Sequence, residues 1–467
     1  MIINNINNIS ISYFLLILVA VVFAFSISFS LIRNKKIKFL QLVVLLALLA
    51  CISGWLFISN ANVVLLNLFH VYRFSMLFTC LFSILFILIL ILSYDSEADY
   101  FYTLLGIIAT GAMIVPMAES LITLFLAIEI TSVTTSFAIM TKNKIHLEAA
   151  MKMFILSAIS VSIFSFAMVL IFPYSPQLAL AGLASNSAVS GNYLIELGII
   201  LFIAALGFEA AAFPFNLWIP DVYQGARANL TAMVSGINKK IGFVAMMMIL
   251  FIVFAQYSWF FSSIIAMLSV ATMFFGNLVA MVQQNVKRML AYSSISQAGY
   301  ILIGIAAASS LGLEASIFQI IAHAFMIIGA FAFIFWLESQ YSMNTISDYD
   351  GLTQRNAFAG IGLSILMLSM IGIPPLLGFY GKFLLFSSAL SARMAALAFI
   401  GIINSFISVY YYGRLMIAMH RKTNKKHIML NKNIIIVTGI CIFVIAGIGL
   451  YPEFLMHAAS LAAKALL

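Results

Sequence analysis

The sequence predicts an all-α, polytopic membrane protein with about 14 transmembrane helices, arranged as two inverted five-helix repeats with broken helices 7 and 12. Three observations support this fold class. Of the 467 residues, 64% are hydrophobic and 8% are charged, which is more apolar surface than a water-soluble domain can bury. The apolar residues form runs of about 20, long enough for a helix to cross roughly 30 Å of hydrocarbon. Two runs contain proline, which removes a backbone donor and breaks a helix.

The spans follow one another with short connections. We divide the chain into three N-terminal helices (1–99), a first repeat of helices 4–8 (100–256), a second, inverted repeat of helices 9–13 (257–416), and a loop with helix 14 (417–467). The predicted spans cover residues 10–32, 38–58, 72–93, 100–118, 119–140, 149–172, 194–215, 230–256, 259–283, 290–308, 313–337, 357–385, 386–416 and 433–455.

The cations predict the orientation, because cytoplasmic loops carry an excess of lysine and arginine. They fall in odd-numbered loops, so both termini should lie on the outer side of a prokaryotic cell membrane. The net charge of +9 is therefore explained by the cations of the cytoplasmic loops. Nucleic acid is not an expected partner. The acidic loop of Asp95, Glu97 and Asp99 does not change this prediction, because acidic residues contribute little to the rule. The orienting cations are Arg33, Lys35, Lys36, Lys38, Lys142, Lys144, Arg227, Lys287, Arg288, Arg355, Arg421, Lys422, Lys425, Lys426 and Lys432.

Ionisable residues occur within the apolar spans, where one charge costs about 2.5–3.5 kcal/mol. Glu209 precedes Pro214 in span 7, and Lys382 follows Pro374 and Pro375 in span 12. Broken helices at matching places of two repeats indicate an ion path. A carboxyl group and an amine in one cavity of low dielectric can exchange a proton when their hydration changes. The predicted proton pathway is Glu129, Glu209, Lys239, His323 and Lys382, with Lys152 and Lys240 as secondary candidates.

Structural roles are the alternative for some of these residues. Lys152 can extend its ammonium group to the membrane surface, and one lysine of the pair Lys239 and Lys240 can pack through its stem alone. His323 can be a neutral, hydrogen-bonded packing residue. The sequence has no metal, haem, flavin, iron–sulfur or nucleotide motif, so we expect no cofactor in this chain. Its cysteines, Cys51, Cys80 and Cys441, each lie alone in an apolar run.

Several runs resemble the N subunit of respiratory complex I. The run from Phe215 to Ala226, FNLWIPDVYQGA, is similar to the signature after span 7 of that family. The same holds for QNVKRMLAYSSI at 284–295, AHAFM at 322–326, GIPP at 372–375, GFYGKF at 378–383 and VYYYGR at 409–414. The resemblance runs from about residue 100 to 416. Related M and L subunits and Mrp-type antiporter subunits share this arrangement of helices. The run PDVYQG and the triple tyrosine favour the N type.

The resemblance implies proton translocation driven by quinone reduction elsewhere in the complex. Quinone, flavin and iron–sulfur clusters would then lie in partner subunits, with K- and M-type subunits as membrane neighbours. By motif, Glu129, Lys152, Lys239 and Lys382 correspond to the ionisable residues of spans 5, 6, 8 and 12, with Lys240 as the alternative to Lys239 in span 8. The chain departs from the family at Glu209, where lysine is usual, at Asn216, where histidine is usual, and at Arg227, where proline is common.

Three functions remain open on the sequence. The first is a proton-translocating subunit of a complex I-like enzyme. The second is a cation/proton antiporter subunit of the Mrp type with no redox partner. The third is a structural membrane-arm subunit that has lost pumping, which the residues at 209 and 216 would allow. The electron donor, the quinone and the proton stoichiometry depend on other subunits.

Overall fold

The computed structural model describes residues 2–28, 34–94, 99–174, 178–180, 182–183 and 193–467. Arg33, one of the orienting cations, and Asp95 and Glu97 of the acidic loop lie outside the described residues. The chain divides into two compact units. Unit 1 comprises Met1–Ala210, Ile237–Phe261 and Leu461–Leu467, and unit 2 comprises Ala211–Gly236 and Ser262–Ser460.

Helices account for most of the described chain. Their bounds are α1 Ile2–Ser28, α2 Lys35–Ile58, α3 Arg73–Ser93, α4 Asp99–Ile114, α5 Leu121–Ile139, α6 Lys144–Ile171, α7 Tyr193–Ala210, α8 Trp218–Gly225, α9 Ala228–Met233, α10 Lys239–Met248, α11 Ser258–Val282, α12 Val286–Ala306, α13 Ser310–Tyr341, α14 Leu352–Arg355, α15 Ala357–Ile371, α16 Leu377–Ser391, α17 Ala395–Met419, α18 Lys432–Phe443 and α19 Glu453–Leu466. A hairpin of β1 (Val63–Leu65) and β2 (Phe69–Val71) pairs antiparallel between α2 and α3.

The predicted fold class is confirmed. Each of the fourteen predicted ranges overlaps one of these helices or a broken pair. Within the described residues, eleven helices are long and apolar enough to cross a membrane, and a pair bent by 89°, Lys432–Ile448 with Glu453–Leu466, makes a twelfth. The predicted start of span 13 at residue 386 is wrong, because α16 runs to Ser391 and α17 begins at Ala395. Hydropathy does not resolve this short turn, which includes Arg393 with a φ of 60°.

Side-chain caps define several helix starts. A helix leaves its first backbone N–H groups without partners inside the helix, and an oxygen just before the helix can accept from one of them. Ser120 accepts from the backbone of Thr123 at α5, Asn143 from Ile145 at α6, and Asn285 from Arg288 at α12. Ser309 and Asn356 cap α13 and α15 in the same way. Local sequence therefore determines where these helices begin.

The predicted breaks in helices 7 and 12 are confirmed. Helix α7 ends at Ala210, because Ala211 adopts a left-handed φ of 67°, and the Phe213–Pro214 peptide bond is cis. Helix α15 ends at Ile371, Gly372 has a φ of 96°, and the Pro374–Pro375 bond is cis. The break of helix 7 thus begins before its proline, at a position that the sequence did not indicate.

Unit 2 contains an ion pair that is buried at its cationic end. Lys287 Nζ of α12 lies 2.7 Å from Glu338 Oε1 of α13, and the two side chains are 6% and 27% exposed. The same ammonium group donates to the carbonyl oxygen of Ala226 at 3.0 Å. Because α12 and α13 contact each other, this pair joins the start of α12 to the end of α13.

Replacing Glu338, which is 27% exposed, by alanine is expected to lower the free energy of unfolding by about 1–3 kcal/mol, because it leaves the buried Lys287 ammonium group without its counter-charge. The matched control is Asp350→Ala, which breaks the exposed Arg421–Asp350 pair, with side chains 60% and 29% exposed. That change should cost less than about 1 kcal/mol. Thermal unfolding of the purified protein measures both, and equal losses of stability would contradict the assigned role of Lys287.

Candidate functional site

Lys382 lies at the break of span 12, inside unit 2. It is 4% exposed, and its Nζ donates to the carbonyl oxygen of Ile371 at 2.7 Å and to Ser405 Oγ at 2.9 Å. In an unbroken helix, the Ile371 carbonyl would accept from residue 375, but that residue is a proline and has no N–H. The break therefore frees an acceptor, and the lysine of the next half-helix satisfies it. Ser405 donates to the same carbonyl at 3.0 Å.

An open pocket of 340 Å³ reaches this lysine. Its walls are formed by aromatic and aliphatic side chains, and Lys382 and Ser405 supply its polar lining. The Lys382 ammonium group also lies 4.5 Å from the centre of the Tyr300 ring, which places a cation over an electron-rich face. An amine that is buried beside an accessible space can gain or lose a proton through whatever enters that space. The aromatic walls are Phe379, Phe383, Phe386 and Phe406.

Neutral polar side chains connect the neighbourhoods of Lys382 and His323. Gln319 precedes His323 by one turn on α13, so both lie on one helix face. Its Nε2 donates to Gln297 Oε1 of α12 at 3.1 Å, and Gln297 Nε2 donates to the Met370 carbonyl at 3.0 Å. A Cβ atom at Gly381 would overlap Gln319 Oε1, so this amide oxygen is next to the backbone that carries Lys382.

Replacing Ser405 by alanine is expected to reduce proton translocation partially, because the Lys382 ammonium group loses one of its two hydrogen-bond acceptors. A hydrogen bond to a charged group contributes about 1.5–3 kcal/mol, so the lysine should change its proton affinity without loss of the fold. The pH profile of turnover measures this effect, and Ser391→Ala at the end of α16 is the control. A profile identical to that of the unmodified protein would show that Ser405 does not tune the lysine.

Glu209 and Glu129 form a carboxylate pair in unit 1. Glu209 is buried near the end of α7, and its Oε1 accepts from Ser132 Oγ of α5 at 2.9 Å. Glu129 lies one turn before Ser132, and so on the side of α5 that contacts Glu209. Glu129 is half-buried, and its Oε2 has no hydrogen-bond partner. Two acidic groups are therefore present at the position where the chain has Glu209 and the family that it resembles usually has lysine.

The helix that carries the two lysines packs closely against Glu209. A Cβ atom at Gly242 would lie 2.6 Å from the Ala210 nitrogen and 2.7 Å from Glu209 Cβ, so only glycine permits this approach. One turn earlier, Asn238 ends a π-helical segment, Val234–Asn238, and its Nδ2 donates to Thr135 Oγ1 of α5 at 2.5 Å. Single-turn π segments in α-helices are frequent at functional sites. Spans 5, 7 and 8 therefore converge on one polar region.

The structure distinguishes the remaining candidates by burial. Lys239 and Lys240 are both buried at the start of α10, so their burial does not indicate which of them belongs to the proton pathway. Lys152 is 42% exposed in its side chain and lies 2.8 Å from Glu148, one turn earlier on α6. His323 is fully buried on α13 of unit 2. Lys152 is therefore the most exposed of the candidate lysines.

The predicted proton pathway does not include the neutral partners of the ionisable residues. A signal was present in their spacing, because each lies three or four residues from an ionisable or polar residue on the same helix face. Within otherwise apolar spans, such pairs indicate a polar stripe. The pairs are Glu129 with Ser132, Ser235 with Asn238, Gln297 with Tyr300, Gln319 with His323, and Ser405 with Ser408.

The chain is similar to known proteins over most of its length. Residues 118–408 match the family described as NADH:quinone oxidoreductase/Mrp antiporter, TM. The NADH-quinone oxidoreductase subunit N of Desulforamulus reducens is 33% identical over 444 residues, 92% of each chain. The F(420)H(2) dehydrogenase subunit N of Methanosarcina mazei is 37% identical over 347 residues, 70% of each chain. A chain of respiratory complex I from Thermus thermophilus has the same fold, with a TM-score of 0.83, 24% identity, and coverage of 95% and 98%.

Proposed function

Because this chain belongs to the NADH:quinone oxidoreductase and Mrp antiporter family, among the relatives named subunit N, we propose that it translocates protons as the N-type membrane-arm subunit of a complex I-like quinone oxidoreductase. The chain supplies titratable groups within the membrane. The driving force comes from redox chemistry in partner subunits, where quinone, flavin and iron–sulfur clusters belong in this proposal.

The environment of Lys382 is the observation that carries this proposal. A buried ammonium group costs several kcal/mol in a membrane, and stability alone gains little from it. Here the amine is bonded to a carbonyl that a helix break has freed and lies beside a pocket of 340 Å³. These features suit a group that binds and releases a proton. His323, Gln319 and Gln297 extend the polar region within the same unit.

The carboxylates of unit 1 supply the other half of the proposed path. Glu129 and Glu209 can hold a proton between them, and the buried amines Lys239 and Lys240 follow Asn238 on the adjoining helix. Protons would enter this group and leave from Lys382, or the reverse, according to the redox state of the complex. In this proposal Lys152 takes part in proton transfer only when its ion pair with Glu148 is broken.

The proposed assembly is a multi-subunit membrane complex with K- and M-type neighbours, surrounded by lipid. The proposed location is the cell membrane of a prokaryote, with both termini on the outer side, as the distribution of cations indicates. The donor is open, because relatives of similar identity are named for NADH in one case and for F(420)H(2) in another. The donor therefore depends on the peripheral subunits that bind to this membrane arm.

Gentle purification of the tagged chain, followed by mass spectrometry of the proteins that accompany it, tests the proposal. Recovery with quinone-oxidoreductase subunits and redox-driven proton uptake by the reconstituted complex is the expected result, and the peripheral subunits would identify the donor. Recovery only with small antiporter subunits, together with cation transport that needs no redox substrate, would replace this function by cation/proton antiport. An assembled complex that pumps equally without the ionisable residues of this chain would leave it a structural role.

A further inference from the structure

The loop between α17 and α18 of unit 2 is rich in cations. Five of the twelve residues from Arg421 to Lys432 are lysine or arginine. The two carboxylates that face this loop already have partners, because Asp350 accepts from Arg421 at 3.3 Å and Asp348 accepts from two backbone N–H groups. Lys426 and Lys432 are exposed and take part in no ion pair within the described residues. The loop therefore carries positive charge that the described part of the chain does not neutralise.

Hydrogen bonds hold the backbone of this loop in one conformation. Three side chains from the helices beside it donate to its carbonyl oxygens. These bonds run from Arg355 Nε to Lys426 at 3.2 Å, from Asn356 Nδ2 to Ile428 at 2.9 Å, and from Trp336 Nε1 to Met429 at 2.6 Å. A surface whose backbone is already ordered loses less conformational entropy when it binds a ligand. The cations of the loop are thus presented on a preformed surface.

The same loop lies at the surface of the membrane. Helices α13 and α17 end beside it, and α15 and α18 begin beside it. Because α13 and α17 are each long and apolar enough to cross a membrane, their ends here reach the level of the lipid headgroups. Trp336 and Tyr341 both donate to the Met429 carbonyl oxygen, and tryptophan and tyrosine are typical of this level. The cations therefore lie where phospholipid headgroups are found.

An exposed apolar surface continues from the start of α18 into the membrane. Lys432, Ile435 and Ile436 share one face of α18, because they are three and four residues apart, and all three are exposed. Helix α15, which contacts α18, exposes Phe358 and Ile361 near its own start at the same end. A cation above an apolar helix surface is complementary to a phosphate group above acyl chains.

We propose that Lys426 and Lys432 bind the phosphate group of one anionic phospholipid, whose acyl chains lie on the exposed faces of α15 and α18. The excess of cations favours an anionic lipid, because the ammonium or choline group of a zwitterionic lipid is repelled by like charge. The exposed apolar side chains favour a lipid over inorganic phosphate, which has no apolar surface to bury on them. This binding site is separate from the proton path and does not rest on the proposed function.

Photo-crosslinking tests the proposal on the purified complex that contains the full chain. The complex is reconstituted into phosphatidylcholine nanodiscs with a minor fraction of phosphatidylglycerol that carries a photoreactive group in its acyl chain, and mass spectrometry identifies the labelled peptides. The test variant is Lys426→Gln/Lys432→Gln, and Lys426→Arg/Lys432→Arg keeps both charges. The matched control is Lys142→Gln/Lys144→Gln, which removes two exposed cations at the start of α6. All of these side chains are exposed, so the variants should fold, and thermal unfolding checks this.

The expected result is labelling near the starts of α15 and α18 by the phosphatidylglycerol probe and not by the matching phosphatidylcholine probe. The glutamine variant should lower the apparent affinity at least about fivefold, and the arginine variant and the control should leave it unchanged. Equal labelling by the two probes, or an equal loss of affinity in the control, would overturn the proposal. Complete loss of labelling when inorganic phosphate replaces chloride at constant ionic strength would assign the cations to free phosphate instead. Crosslinking of a partner protein to this loop in place of the lipid would likewise overturn the proposal.

Discussion

Replacing Lys382 by methionine is expected to abolish the proton translocation that this chain contributes, and so to lower the number of protons moved per quinone reduced. Methionine keeps most of the side-chain volume but cannot bind a proton. The Ile371 carbonyl would lose the donor that now satisfies it at 2.7 Å, although Ser405 still donates to it. The loss should therefore affect pumping more than folding. Proton uptake by the reconstituted complex, divided by the rate of quinone reduction, is the measurement.

A second variant at this position separates charge from titration. Lys382→Arg keeps the positive charge, but a guanidinium group does not lose its proton in proteins, so pumping should fail in this variant as well. The control is Lys422→Met, an exposed lysine after α17, which should pump normally. A normal proton ratio in Lys382→Met would remove the lysine from the proposed path.

Replacing Gly378 by alanine is expected to destabilise the protein strongly and to displace Lys382. A Cβ atom at Gly378 would overlap the backbone oxygen of Ser369, and Ser369 Oγ already accepts from the Gly378 N–H at 3.1 Å. Backbone atoms cannot move aside as a flexible side chain can, so α15 and α16 must separate. Overpacking of this kind costs about 1–3 kcal/mol, and more where backbone is involved.

Gly413→Ala is the matched control for this prediction. It makes the same chemical change inside α17, but apart from its chain neighbours and the backbone of its own helix no atom lies within 4 Å of the added methyl group. In a helix, alanine is more favourable than glycine by about 1 kcal/mol, so this variant should be unchanged or slightly more stable. Thermal unfolding and the proton ratio are measured on both variants. If Gly378→Ala matched Gly413→Ala in both, the close packing of the two half-helices would not be what positions the lysine.

The broken helices show which features of the fold are local properties of the sequence and which are not. The prolines predicted breaks in helices 7 and 12, because loss of a backbone donor is a local property. The actual end of α7 at Ala210 depends on the left-handed conformation of Ala211, which no proline or glycine marks. The repeat boundaries at 100–256 and 257–416 and the roles of the ionisable residues stay predictions.

The sequence by itself determined that the chain spans a membrane, the approximate position of each span, and which spans carry ionisable groups, because hydrophobic length and buried charge are properties of one segment. Only the tertiary structure decided which groups meet. Ser132 and Glu209 are 77 residues apart, and Asn238 and Thr135 are 103 apart. These contacts depend on the rotation of each helix about its axis. Helices that are apolar on every side carry little sequence signal for that rotation, so only packing against neighbouring helices defines it.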